Sequence, residues 1–91
     1  MYEPHRANAE QRLFAAVVFR AVLDATMKKP RNGTLLAIRN EADAWFRNNG
    51  KDYRLICDKA GIDSDFIREA YIRGKLDGIR EIVAAKMGEA A

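Results

Sequence analysis

Residues 53–72, YRLICDKAGIDSDFIREAYI, carry the pattern that decides the fold. A small residue, Cys57, is followed four positions later by Gly61 and six after that by a branched apolar residue, Ile67. Each has a mechanical reason. Two helices crossing steeply need a small side chain at closest approach, the turn needs a left-handed residue that glycine adopts without strain, and the second helix needs an apolar anchor. Ile56, Ala60, Ile62 and Ala70 fall on the remaining inward positions. The spacing predicts a helix-turn-helix over residues 53–73, built from a helix over 53–60, a tight connection at 61–63 and a helix over 64–73 capped by Asp63 and broken by Gly74. The same geometry also serves as a plain corner in helical domains.

Upstream, apolar residues recur every three or four positions, and no strand-length stretch alternates apolar with polar. The first helix is expected over residues 8–28, with Leu13, Val17, Ala21 and Ala25 on one stripe and Phe14, Val18 and Val22 widening it. So broad a face needs cover on two sides, either from a second subunit as well as the rest of the domain or from neighbours wrapped around a central helix. Pro30 and the Asn32-Gly33 pair end it, and Thr34 is the expected cap of a second helix over 35–48. Leu35, Ile38, Ala42 and Trp45 form that helix's inner stripe; Arg39, Glu41, Asp43 and Arg47 lie outside, with Asp43 and Arg47 a favourable pair four residues apart. Downstream, Leu76, Ile79, Val83 and Met87 make the stripe of a last helix over 75–87, and residues 88–91 read as a frayed tail. The fold class is all-α, a compact bundle of about five helices in one domain spanning residues 1–91.

Composition agrees. Ninety-one residues, 48% hydrophobic and 32% charged, fill one small core. Arg20 and Asp24 interrupt the most apolar run, so no membrane span is expected. The N-terminus lacks the basic region of a secretory signal, and a single cysteine cannot form an internal disulfide; together these point to the cytoplasm. A net charge of +3 is compatible with nucleic acid without demanding it.

In DNA readers of this geometry the second helix enters the major groove with its N-terminal part toward the base edges. Ser64, Asp65, Arg68 and Glu69 would then face the bases, with Ile72 at the far end, while Lys51, Arg54 and Lys59 flank the phosphates, joined by Arg73 and Lys75. Arg68 is the residue expected to pair with guanine; otherwise it is a solvated cation neutralising Asp65 or Glu69. The front of that helix, Asp63-Ser64-Asp65, is more acidic than DNA readers usually are, which capping partly explains.

Enzymatic chemistry finds no support. Cys57 has no histidine near it, since His5 is the only one and sits in a terminus expected to be mobile, so the cysteine reads as a small buried structural thiol. One Cys and one His make no zinc site. Gly74 and Gly78 lack the preceding strand of a phosphate loop, and the carboxylate pairs Asp63/Asp65 and Glu41/Asp43 read as caps and solvated charges. No catalytic residue, metal or cofactor is expected. Trp45 reads as a core anchor between helices, its replacement by Ala costing about 3–5 kcal/mol. Lys28-Lys29-Pro30-Arg31 is a solvated basic loop or a phosphate clamp.

Glu41-Ala42-Asp43-Ala44-Trp45-Phe46, then residues 53–63 and Ile67-Arg68, resemble a family of small helix-turn-helix proteins from phages and prophages of Gram-negative bacteria. That family's pattern is an apolar helix of Ala-Val-Leu-Asp-Ala character, echoed here at residues 21–25, then Ala-x-x-Trp, an aromatic, a Cys-x-x-Ala-Gly-Ile/Leu-Asp segment and Val/Ile-Arg. The likeness covers roughly residues 13–73. Ser64 stands where proline is common, and Asn48-Asn49 occupies a linker that is often rich in Ser and Asp. The resemblance implies a mobile-element origin and leaves the target open. The expected function is that of a small phage or prophage transcriptional regulator binding double-stranded DNA, as a homodimer through its first helix. The alternatives are a phage-encoded adaptor or inhibitor of a host protein and a DNA-binding component of phage packaging.

Overall fold

The structure, a computed structural model, describes the backbone of residues 4–88 and the side chains of residues 9–88. Five helices follow one another: α1 (Pro4–Ala25), α2 (Gly33–Asn48), α3 (Lys51–Lys59), α4 (Ser64–Ile72) and α5 (Leu76–Gly88). There is no strand among the described residues, so the fold is an all-α bundle. The last three residues of the expected tail lie outside the described range, and Gly88 closes α5.

α1 starts at Pro4, ahead of the expected residue 8, because proline is well suited to the first helical position, where its missing N–H forfeits no bond. It stops at Ala25 rather than residue 28. Thr26 ends it by donating both its amide and its hydroxyl to the Val22 carbonyl, at 3.0 and 2.7 Å, and Lys29 then turns left-handed before Pro30. Arg80 of α5 reaches this corner, its Nη2 donating to Thr26 Oγ1 at 3.3 Å. α2 is capped by Asn32, not by Thr34: Asn32 Oδ1 accepts from the Leu35 amide at 2.9 Å, and Gly33 and Thr34 become its first turn. Asparagine caps at least as well as threonine, and its extended backbone suits the position.

α1 is the spine. It packs most extensively on α5 and also on α2 and α3, while α4 closes the bundle against α5, α2 and α3. Ala15, Val18 and Val22 of α1 are fully buried among Phe46, Tyr53, Cys57, Ile67, Ile79 and Val83. The α5 stripe lies as expected, with Ile79 and Val83 buried and Leu76 and Met87 packed against the core.

Two stripes are rotated from expectation. On α1 the core takes the Val18–Val22 side, leaving Leu13 63% and Val17 42% exposed, because the helix carries more apolar arc than three neighbours cover. On α2, Phe46 is the buried residue, whereas Ile38 is exposed and Trp45 half-buried with its ring edge-on to Phe46 and Tyr53, at 5.2 and 5.0 Å between centroids. Trp45 is therefore a flank of the core rather than its centre.

Gly61 joins α3 to α4 at φ +73°. A Cβ there would lie 3.3 Å from the Gln11 side-chain amide of α1. Gly61→Val is expected to cost about 2 kcal/mol, most of it left-handed backbone strain because the end of Gln11 can move aside, read as a lower urea midpoint with unchanged slope.

Candidate functional site

The α3–α4 corner is assembled around groups that leave solvent together. Cys57, Ala60 and Ile67 are fully buried and Ile62 and Ala70 nearly so, as the spacing predicts, while Ile56, also expected inward, is half-buried against the core. Tyr53 spans the corner, its hydroxyl donating to the Ser64 carbonyl at 2.7 Å. Asp63 caps α4 as expected, Oδ1 accepting from the Asp65 and Phe66 amides at 3.0 and 3.2 Å. Burial pushes the Cys57 thiol up to about 11, so at neutral pH it is protonated and unreactive.

A second joint, between α2 and α4, is not evident from the sequence. Tyr71 stacks on Phe46 with centroids 4.6 Å apart, has the Arg47 guanidinium over its ring at 5.4 Å from the centroid, and donates its hydroxyl to Asp43 Oδ1 in a short hydrogen bond. The expected Asp43–Arg47 pair is present at 3.0 Å, but Asp43 is half-buried because Tyr71 also uses it. The Tyr71 hydrogen bond foremost, then Arg47, hold the Asp43 carboxyl below the usual carboxylate range; burial and the same bond push the Tyr71 hydroxyl up. A depressed carboxyl contributes stability that is complete above its unfolded pKa and lost as pH falls through the folded value. Tyr71→Phe should therefore cost about 1 kcal/mol at neutral pH and much less in acid, where Asp43 is protonated in both proteins; urea unfolding at the two pH values measures the difference.

Arg68 belongs to this joint. Its Nε donates to the Arg47 carbonyl at 2.9 Å, so it neutralises neither Asp65 nor Glu69; Glu69 instead pairs with Arg73 at 2.7 Å. Its terminal Nη atoms make no hydrogen bond or ion pair among the described residues. No family model, curated protein or solved structure matches the chain. The site must be read from its own geometry.

Of the residues expected to face bases, Asp65 and Glu69 are exposed, and Ser64 and Arg68 half-buried, all on α4. Lys51, Arg54 and Lys59 are exposed on α3, and Arg73 and Lys75 on the segment after α4. They are not equally available: Arg73 is committed to Glu69, and Lys59 lies 5.7 Å over the Phe14 ring of α1. Sequence reasoning missed Phe66, 56% exposed on α4, and Leu55, 53% exposed on α3. Their spacing from Ile67 and Cys57, one and two residues off the inward positions, was the available signal. Among the described residues no helix is long and apolar enough to cross a membrane, and no group of three or more His, Cys, Asp or Glu is set to hold a metal.

Proposed function

We propose that the chain is a small regulator of phage or prophage type that reads double-stranded DNA through a helix-turn-helix formed by α3 and α4, in the cytoplasm of its host and as a dimer. The observation that carries this reading is Arg68: a main-chain carbonyl holds its Nε, and the two Nη groups remain unengaged. A guanidinium braced from behind is pre-positioned to donate two bonds to guanine O6 and N7. Lys51 and Arg54, exposed on α3, supply phosphate contacts and hence salt-dependent affinity. Ser64 and Asp65 begin the presented helix, where a carboxylate can accept from a cytosine amino group.

A second reading, docking to a host protein, is favoured by one feature. Phe66, 56% exposed, lies on α4 beside Asp65 and Glu69, and an exposed aromatic ring among acids suits a protein partner better than a phosphate backbone. A titration against DNA fragments from the gene's own neighbourhood, at two salt concentrations, separates the readings. The regulator is expected to bind one fragment tightly, with Arg68→Ala losing about 1–3 kcal/mol of discrimination and Lys51→Ala/Arg54→Ala flattening the salt dependence on every fragment. A melting curve for Arg68→Ala accounts for its bond to the Arg47 carbonyl. Weak binding, equal on all fragments, would reject the DNA reading and favour the protein partner.

A further inference from the structure

The apolar arc of α1 that the bundle leaves uncovered forms one wall of a groove of about 600 Å³. Its other wall is α2, and Ile56 of α3 closes one end. The floor is made of small residues, Ala16, Ala21 and Ala42, and the walls rise to Leu13, Val17 and Ile38, which are 63%, 42% and 37% exposed. Ridge and depression therefore lie on the same surface. Lining positions on α1 (13, 16, 17, 20, 21, 24) and α2 (38, 41, 42, 45) repeat at three and four, the spacing with which a helix presents a seam to another helix.

The charges on the walls identify the occupant. Arg20 and Asp24 stand on the α1 wall and Glu41 on the α2 wall. The seven-residue connection over 26–32 makes these helices antiparallel neighbours, so counting from the loop sets Arg20 and Glu41 within about one turn of each other along the groove. The Arg20 side chain is 78% exposed and holds only a 3.4 Å contact to Asp24, and Glu41 is exposed with no ion pair among the described residues. A two-fold axis running along the groove lays α1 of each copy over α2 of the other. Arg20 of one copy then meets Glu41 of its partner, twice, while the Leu13 and Val17 ridge packs against the partner's α2 wall at Ile38. An isologous interface must complement itself, and a surface with both signs on opposite walls does so.

We infer that this groove is the homodimer interface, closed by a second copy of the chain with α1 packed over α2 in both directions. This deepens the dimeric part of the proposed function, and no α4 residue lines the groove, so the presented helix stays open in the pair. The test is sedimentation equilibrium without DNA at about 100 µM, a range suited to a small interface. The wild type should run at twice 10.3 kDa. Arg20→Glu and Glu41→Arg should each raise the dimer dissociation constant roughly tenfold or more by setting like charges face to face, and the double variant should recover the wild-type value. Val17→Asp should give monomer whose helical circular dichroism is unchanged, since Val17 lies outside the buried core. A monomeric wild type overturns the inference, as does a dimer indifferent to all of these changes; single variants that weaken the dimer without rescue by the double overturn the two-fold arrangement. Because DNA is absent, failure here leaves the DNA titration to be judged separately.

Discussion

Phe46→Ala is expected to lose about 3–5 kcal/mol, enough to take most of the stability of a domain this size. Phe46 is fully buried and is the ring on which three others converge: Tyr71 stacked at 4.6 Å, with Trp45 and Tyr53 edge-on at 5.2 and 5.9 Å. Truncation opens a cavity where α2 meets α4, and it removes the support that positions the Tyr71 hydroxyl on Asp43. Trp45→Ala should cost less, because Trp45 is half-buried and its outer edge lines the groove. Urea unfolding followed by circular dichroism ranks the two variants, and a Trp45→Ala loss exceeding that of Phe46→Ala would contradict the packing described.

Ile67→Ala is expected to lose about 2–5 kcal/mol, and Ile72→Ala, five residues along the same helix, only about 0.5. Ile67 is fully buried and Ile72 is 46% exposed. Nine residues form no stable helix alone, so α4 exists because Ile67, Ala70 and Tyr71 are held by the core. The pair of variants thus separates what folds the corner from what the corner presents. Equal losses would mean that α4 is packed on a different face.

The elements were legible wherever two independent signals coincided. Cys57, Gly61 and Ile67 fix the corner because a small contact, a left-handed turn and an anchor are required at set intervals, and Asp63 supplies a cap directly after the turn. The α5 stripe has one face and one reading. α1 and α2 are different, because α1 is apolar around most of its circumference and the apolar arc of α2 is wide enough for two adjacent stripes, and periodicity gives no preference between Leu13–Val17 and Val18–Val22, or between Ile38–Trp45 and Phe46. Packing partners decide that choice, and they come from distant sequence. Tyr71 was invisible for the same reason: its partners Asp43, Phe46 and Arg47 lie on α2, more than twenty residues away, and nothing local indicates that a solvated-looking Asp–Arg pair accepts a tyrosine. Likewise, the brace from the Arg47 carbonyl to Arg68 exists only once α2 and α4 meet.

The most extensive helix contact in the bundle, α1 on α5, joins the first element to the last. During synthesis, Ala15, Val18 and Val22 therefore emerge long before Ile79 and Val83, which cover them. Until α5 clears the ribosome, the nascent chain holds two longer helices, α1 with its apolar face uncovered, and two short ones with no stability of their own, a species prone to chaperone capture and aggregation. Folding of this domain thus waits for its final helix, and a chain arrested before α5 is a substrate for quality control rather than a partial version of the protein.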